Sequence, residues 1–298
     1  MEAGRLERLR SLESHLQKHL LGQDQVLRRA AAIFARGELG LTRNNGPRGT
    51  FLAVGPTGTG KTELVLLAAD YLFGPGRVRR FDLSEFQRED AVERLLGADS
   101  SEGGAFGRMA VGDGPCVWLF DELEKAHPKV FDLFIQILEP GRLTLANGQE
   151  LLFDNHYVVF TSNIGAPEAM RMAHSNPISI ERAVLRRVGE VLRPELLARI
   201  PEQLAFNRLD SSVQRAIAEL HLNREVSRLG AAGHALTIGE GVMEFLLRRG
   251  FHPQLGARPL RQTIERCLQD AVVRRLLSHG IGSGHITADI SNMRLDLS

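Results

Sequence analysis

The chain has 298 residues, of which 43% are hydrophobic and 24% are charged, and its formal net charge is +1. This length exceeds one typical core and allows a large domain with a smaller one. The charge balance gives no long-range attraction to nucleic acid or anionic membrane. No apolar run reaches membrane-spanning length, and the first residues lack the apolar region of a secretory signal. We therefore expect a cytoplasmic protein that binds neither nucleic acid nor membrane.

The first two thirds of the chain begin with helical patterns and then change to strands. Leucines at helical spacing predict an amphipathic helix over 6–20 and a second helix over 23–35, before a loop over 42–49. Short apolar runs then alternate with helical patterns. The predicted strands are 50–54, 78–82, 115–120, 156–161 and 203–206, and the predicted helices among them are 63–73 and 122–138. This alternation predicts an α/β fold with a parallel sheet covered by helices on both faces.

The last third of the chain is mainly helical. The predicted helices are 212–229, 241–249 and 258–278, followed by terminal strands over 286–290 and 293–297. We therefore predict three parts: a helical leader over 1–19, a large α/β domain over 20–206 and a small, mainly helical C-terminal domain over 207–298. Cys116 and Cys267 fall in no ligand spacing, and we interpret them as buried free thiols.

A glycine-rich turn follows the first predicted strand and reads GPTGTGKT over 55–62, which fits the P-loop pattern at every fixed position. Glycines let successive backbone N–H groups point at phosphate oxygens, and the next helix adds its positive N-terminal end. Lys61 can reach the β- and γ-phosphates of ATP, and the Thr62 hydroxyl can bind Mg²⁺. The residues predicted to contact ATP or ADP here are Gly55, Pro56, Thr57, Gly58, Thr59, Gly60, Lys61, Thr62 and Glu63.

A second apolar strand ends in two acidic residues, Asp121 and Glu122. Ligands of open α/β sheets bind at the carboxyl ends of the strands, which is where these side chains belong. Asp121 is the predicted second Mg²⁺ residue, and Glu122 is the predicted general base that polarises the attacking water. Acidic residues that complement a helix dipole are the alternative interpretation of this pair. The P-loop upstream favours the catalytic one.

With both halves of the site in place, the chain resembles the second ATPase module of the Clp-type hexameric chaperones of the AAA+ superfamily, such as ClpB, ClpA and ClpV. The resemblance covers about residues 16–297. Its motifs are LLGQ at 20–23, GPTGTGKTEL at 55–64, FDLSEF at 81–86, DELEKAHPKVFDLFIQIL at 121–138, GRLT at 141–144, TSNIG at 161–165, LRPELLARI at 192–200 and GARPLRQTIE at 256–265. The resemblance implies an AAA+ fold and an ATPase that converts ATP and water to ADP and phosphate.

The resemblance also implies roles for residues that no local pattern identifies. Leu21 and Gly22 match the segment near the adenine base. Asn163 matches sensor 1, an amide that helps to orient the attacking water, and Arg258 matches sensor 2, which reaches the γ-phosphate from the small domain. Arg199 matches the arginine finger that reaches into the site of a neighbouring subunit, so that the active unit is a ring, with six subunits as the family norm.

Three features depart from the family pattern. The first ATPase module is absent, and we expect a stand-alone single module. The segment 95–109, LLGADSSEGGAFGRM, lacks the tyrosine that grips a threaded polypeptide, and we interpret its one aromatic, Phe106, as an ordinary helix residue. No Ile/Leu-Gly-Phe/Leu tripeptide occurs between Gly165 and Arg193, so that docking to a ClpP-type peptidase is not expected.

Two hypotheses of function follow. The first is an ATP-driven remodelling motor that acts on an unidentified protein partner. The second is a nucleotide-dependent assembly or scaffold protein, in which ATP controls ring formation or partner binding without threading. The shortened segment favours the scaffold, whereas Glu122, Asn163 and Arg258 together favour an active enzyme. A DNA-handling AAA+ protein lacks support because the chain has no basic run.

Overall fold

The computed structural model describes residues 3–42, 45–110, 112, 114–172, 175–252, 255–289 and 291–298. Contacts divide the chain into two units, one of residues 1–56 and 60–208 and the other of residues 57–59 and 209–298. Residues 43–44 of the predicted loop and residue 290 of a predicted strand lie outside the described residues. No described helix has the length and apolarity needed to cross a membrane.

The first unit is built on a parallel sheet of five strands in the order β2-β3-β6-β1-β7. Its strands are β1 (Gly49–Val54), β2 (Val78–Asp82), β3 (Val117–Asp121), β6 (Tyr157–Ser162) and β7 (Glu202–Ala205). The three central strands, β1, β3 and β6, are buried along their whole length. Each of the five strands coincides with a predicted apolar run to within two residues at either end.

Helices cover both faces of this sheet. They are α1 (Ala3–His19), α2 (Asp24–Glu38), α3 (Lys61–Phe73), α4 (Ala91–Leu96), α5 (Gly104–Met109), α6 (Val130–Leu138), α7 (Ala166–Arg171), α8 (Pro177–Val191) and α9 (Pro194–Leu197). Because side chains alternate along a strand, Phe51 of β1 packs in the core with α1, α2 and α3, whereas Leu52 packs in the core with α6 and α8. The predicted α/β architecture is thereby confirmed.

The predicted helix over 122–138 is wrong in its first half. Glu122 has left-handed backbone angles (φ 59°, ψ 50°), a single 3₁₀ turn follows at Leu123–Lys125, and Ala126 is extended. The α-helix α6 begins only at Val130. The cause is Pro128, which lacks a donor N–H and disfavours helical angles in the residue before it. The break frees the backbone at Glu122 to leave the end of β3 at a sharp angle.

Phe106 lies on α5 and is fully buried, as the sequence interpretation expected. Its ring meets those of Phe81 and Trp118 edge to face, with centroid distances of 5.0 Å and 5.8 Å. The preceding segment 97–103 contains no aromatic residue. It lies beside a two-stranded hairpin of β4 (Arg142–Thr144) and β5 (Glu150–Leu152), where the Ala146 N–H donates to the Leu96 carbonyl oxygen at 3.0 Å.

The described residues of the second unit form the helices α10 (Ser211–Ala231), α11 (Val242–Gly250) and α12 (Arg258–His279). The same unit contains a three-stranded sheet in the order β10-β9-β8. Its strands are β8 (Leu236–Ile238), β9 (Gly284–Asp289) and β10 (Arg294–Leu297). Strand β8 was not predicted, because three residues are too short to show a period. The two cysteines, one in each unit, are free and buried, in agreement with their sequence interpretation.

The burial of Phe106 gives the first prediction. Phe106→Ala leaves a cavity among the rings of Phe81, Trp118 and Phe120. We expect this substitution to lower the free energy of unfolding by about 3–5 kcal/mol, measured by urea denaturation. Met109→Ala, on the exposed side of the same helix, serves as the control and changes stability by less than about 0.5 kcal/mol. Equal stability of Phe106→Ala and the wild type would place the ring outside the core.

Candidate nucleotide-binding site

The site lies where the central strands of the first unit end. Strands β1, β3 and β6 are parallel, with Val54 paired to Ser162 and Phe120 paired to Phe160. Their carboxyl ends therefore meet at one edge of the sheet. The glycine-rich loop leaves β1 at this edge, Asp121 is the last residue of β3, and Asn163 directly follows β6.

The loop after β1 has the backbone that its glycines predict. Gly55, Gly58 and Gly60 have φ values of 130°, 72° and 104°, which side-chain-bearing residues rarely adopt. A Cβ at Gly55 would stand 2.6 Å from the Phe206 carbonyl oxygen, and one at Gly60 would stand 2.5 Å from Leu20. Helix α3 begins directly after the loop at Lys61. A curled backbone at a helix N-terminus suits the phosphates of a nucleotide.

The buried side chain of Lys61 binds the backbone of the glycine-rich loop. Its Nζ donates hydrogen bonds to the carbonyl oxygens of Gly55 and Pro56, both at 2.8 Å, and to Asn163 Oδ1 at 3.1 Å. Burial lowers the Lys61 pKa to about 8, against the raising effect of the carboxylates of Glu124, Asp121 and Glu122. A phosphate would favour the charged ammonium. The lysine therefore gains more from an anionic ligand than an exposed lysine would.

Asp121 is buried, and both oxygens of its carboxylate accept hydrogen bonds. Its Oδ1 accepts from the hydroxyls of Thr62 at 3.0 Å and Thr161 at 2.7 Å, and its Oδ2 accepts from Arg80 Nε at 2.6 Å. A threonine hydroxyl and a carboxylate are hard oxygen donors of the kind that Mg²⁺ prefers. Thr62 and Asp121, predicted as the metal residues, are thus brought together in a way that fits Mg²⁺. Thr161 and Arg80 were not predicted.

Glu122 and Asn163 lie at the ends of neighbouring strands. The Glu122 N–H donates to Thr161 Oγ1 at 3.3 Å, and its left-handed backbone is a strained conformation of the kind found at functional sites. The Asn163 N–H donates to Glu124 Oε1 at 3.1 Å. The other oxygen of Glu124 is buried without a hydrogen-bond partner among the described residues. Glu124 was not predicted as a site residue, although it lies in the string that carried the resemblance.

The segment predicted to lie near the adenine base is fixed to the first unit by Gln23. This buried side chain donates from Nε2 to the Asn207 carbonyl oxygen at 2.9 Å and accepts from the Asn207 N–H at 3.0 Å. Leu21 and Gly22 directly precede it, and Gly22 has a φ of 76°. The Phe206 N–H donates to the carbonyl oxygen of Val54, the last residue before the glycine-rich loop. These bonds place the segment beside the end of β7.

Neither of the two predicted arginines is on the strands or the loop that form this cluster of contacts. Arg199 follows α9, and its guanidinium pairs with Glu139 at 3.3 Å and donates to the Glu195 carbonyl oxygen at 2.9 Å. Both partners lie outside the phosphate loop. Arg258 is the exposed first residue of α12 and belongs to the second unit. The remaining predicted residues of the loop, Thr57 and Thr59, are grouped with that unit as well.

A parallel sheet with a glycine-rich loop, a buried lysine and an acidic strand end defines a P-loop nucleotide-binding protein. Residues 46–203, just over half of the chain, match the family described as "AAA domain (Cdc48 subfamily)". Residues 209–288 match the family described as "C-terminal, D2-small domain, of ClpB protein". The chain therefore belongs to the AAA family and carries an AAA domain followed by a small domain of the ClpB type.

Similar proteins agree with this assignment. The chain is 36% identical to "Chaperone protein ClpB 2" of Nostoc sp. over 98% of its own length and 34% of that protein. It is also 36% identical to "Heat shock protein 100" of Trypanosoma brucei brucei, over 91% of its length and 32% of that protein. The chain thus spans about a third of the length of these curated relatives.

Among solved structures, the chain resembles a chain of the S. cerevisiae Hsp104–ADP complex with a TM-score of 0.88 and 28% identity. The match covers 100% of this chain and 53% of that one. A closed state of Hsp104 with ATPγS and FITC casein gives a TM-score of 0.86 and 27% identity, over 100% of this chain and 52% of that one. These likenesses confirm the AAA+ fold that the sequence motifs implied.

The geometry of Lys61 gives the second prediction. We expect Lys61→Ala to weaken ATP binding by about 10- to 100-fold, the value of a charge-assisted bond to phosphate. Isothermal titration calorimetry measures this directly. Lys125→Ala is the matched control because this lysine is exposed on the 3₁₀ turn after β3. Unchanged nucleotide affinity in Lys61→Ala would remove the glycine-rich loop from the binding site.

Proposed function

We propose that this protein is an ATPase that converts ATP and water to ADP and phosphate, and that it uses this reaction to remodel a protein partner. The observation that carries the proposal is the meeting of five residues at one sheet edge. Lys61 bonds Asn163, Thr62 bonds Asp121, and Glu122 directly follows Asp121. These are the side chains that phosphoryl transfer to water requires.

The chain's own residues divide the work of the reaction. Backbone N–H groups of residues 57–62 and the ammonium of Lys61 bind the phosphates, and Lys61 exchanges its carbonyl partners for phosphate oxygens. Asp121 and the Thr62 hydroxyl would hold Mg²⁺, which neutralises charge on the phosphates when it is bound. Glu122 accepts a proton from the water that attacks the γ-phosphorus, while the Asn163 amide orients that water. The bond from the γ-phosphorus to the bridging oxygen breaks, and ADP leaves with that electron pair.

Two arginines and a ring complete the proposal. Arg258, as sensor 2, binds the γ-phosphate from the small domain. Arg199 acts on the site of the neighbouring subunit, because a guanidinium stays charged and offers a rigid fork of donors to phosphate. Its present partner Glu139 is 62% exposed, so that the ion pair is screened and weak enough to exchange. A head-to-tail ring, of six subunits by analogy with the family, supplies the contact.

The partner is proposed to be a protein, and its contacts are proposed to be polar. The segment 97–103 has no aromatic, and Phe106, the one aromatic residue of positions 95–109, belongs to the core. Aspartate, serine and glutamate at this loop cannot grip a passing chain by apolar burial. This observation favours the second candidate, an assembly or scaffold protein in which ATP controls the ring or partner binding without threading. Neither candidate includes a ClpP-type peptidase.

The general base gives the third prediction. We expect Glu122→Gln to bind ATP with the affinity of the wild type. We expect its rate of hydrolysis to fall by about 100-fold or more, since proton abstraction is lost. A phosphate-release assay and a binding titration measure the two quantities separately. Glu190→Gln, at the exposed end of α8, is the control. Hydrolysis at the wild-type rate in Glu122→Gln would exclude this residue as the base.

The ring gives the fourth prediction, which mixes two variants. Arg199→Ala alone loses about 1,000-fold in hydrolysis, the scale of an arginine finger. A 1:1 mixture with Glu122→Gln places some intact Glu122 residues beside an intact Arg199, and random mixing restores about a quarter of wild-type activity in a closed ring. Activity per subunit of the wild type also rises with protein concentration and then saturates. A mixture no more active than its components would show that Arg199 does not act between subunits.

A further inference from the structure

Arg80 was not predicted as a site residue, although it binds Asp121, the central carboxylate of the site. It lies on β2, next to β3, with Arg80 paired to Leu119 and Asp82 paired to Asp121. Its side chain reaches along the strand, and its Nε donates to Asp121 Oδ2 at 2.6 Å. Asp82, the acid on its own strand, instead accepts from the Ser84 N–H.

The two oxygens of Asp121 thereby have different surroundings. Oδ1 faces two neutral hydroxyls, from Thr62 and Thr161, whereas Oδ2 faces a permanent positive charge. The Asp121 side chain is 6% exposed and the Arg80 side chain is 51% exposed. The guanidinium therefore approaches from solvent onto a buried carboxylate, and it leaves Oδ1 turned toward Thr62.

The charge of Arg80 matters because the strand end carries several acidic groups and, besides Arg80, the ammonium of Lys61. Three carboxylates follow within four residues, from Asp121, Glu122 and Glu124. The Lys61 ammonium is bonded to three neutral oxygens, two of the loop and one of Asn163. A carboxylate beside a hydroxyl oxygen offers hard oxygen ligands to a divalent cation, and a nearby positive charge weakens the binding of a free cation there. Arg80 supplies that charge at hydrogen-bonding distance.

We propose that Arg80 makes this site select the metal–ATP complex over a free divalent cation. Arg80 holds Asp121 by Oδ2, and its positive charge weakens the binding of a free cation when no nucleotide is bound. The metal therefore enters as its ATP complex. The triphosphate brings the negative charge that offsets Arg80, whereas a free cation brings none. Arg80 is thus a positioning residue and not a catalytic one. The inference depends on the proposed nucleotide site.

The test measures binding of free Mn²⁺ without nucleotide, by the electron paramagnetic resonance signal of the unbound ion. In Arg80→Gln and Arg80→Met we expect Mn²⁺ affinity to rise by about tenfold or more, the scale of one unit charge a few ångströms away. Affinity for Mg·ATP changes by a smaller factor, so that the selectivity of the site falls. The added Asp121→Asn substitution in Arg80→Gln abolishes the gained Mn²⁺ binding.

Two controls separate charge from structure. Arg80→Lys keeps the charge and retains the weak Mn²⁺ binding of the wild type. Arg79→Gln removes a charge from the neighbouring position of β2, whose Nη1 donates to the Gly76 carbonyl oxygen, and leaves Mn²⁺ binding unchanged. Because Arg80 is half-exposed, its variants keep the core intact, and thermal melting checks that each is folded.

The outcomes distinguish this inference from the proposed function. If the wild type binds Mg·ATP and Lys61→Ala does not, the nucleotide site stands. Mn²⁺ titrations of Arg80→Gln and Arg80→Met that match the wild type then overturn the role of Arg80 alone. A gain of Mn²⁺ binding that Arg80→Lys shares would show that charge is not the cause. Failure of the wild type to bind Mg·ATP overturns the nucleotide site itself.

Discussion

Three buried strands, β1, β3 and β6, run parallel to one another. The phosphate loop, the acidic pair and Asn163 each lie at the carboxyl end of one of these strands. The strands are apolar on both faces, so that a one-residue slip would bury polar groups and expose core residues. This register, together with the loop that follows β1, brings Lys61, Asp121 and Asn163 to one edge of the sheet, although Lys61 and Asn163 lie 102 positions apart in sequence. The helices on either face add the apolar burial that keeps the register in place.

At this edge, three charged groups of the site are already bonded to other groups of the protein. Lys61 bonds loop carbonyls and Asn163, Asp121 bonds two hydroxyls and Arg80, and Glu124 bonds the backbone of Asn163. A buried charge without partners would destabilise the fold. The same bonds affect ligand binding. A nucleotide must interact with the Lys61 ammonium more strongly than the neutral oxygens that it replaces. Phosphate oxygens do so, because their negative charge favours the ammonium form of a lysine whose pKa burial lowers.

The sequence predicted those parts of the site that a local pattern encodes. The glycine-rich loop needs special φ values within six residues, and Asp121 and Glu122 end a recognisable apolar run. Arg80, Thr161 and Glu124 were missed because each acts on a residue about 40 positions away, across neighbouring strands. Gln23 acts on Asn207 across 184 positions. The helix over 122–138 was predicted too long because its apolar spacing continues through Pro128, whereas the backbone there obeys the proline.

The segment 97–103 shows how the core limits what a loop can do. Phe106 is the one aromatic residue of the segment 95–109, and its ring packs against Phe81 and Trp118 in the core, where it is not available to a partner. The loop instead bonds to itself, since Asp99 accepts from the N–H and hydroxyl of Ser101, and it joins the hairpin through Ala146. A motor that holds its partner here must do so by hydrogen bonds and charge, which depend on the sequence of the partner far more than aromatic burial does. If the remodelling proposal holds, such a motor acts on few partners, whereas an aromatic grip is suited to many.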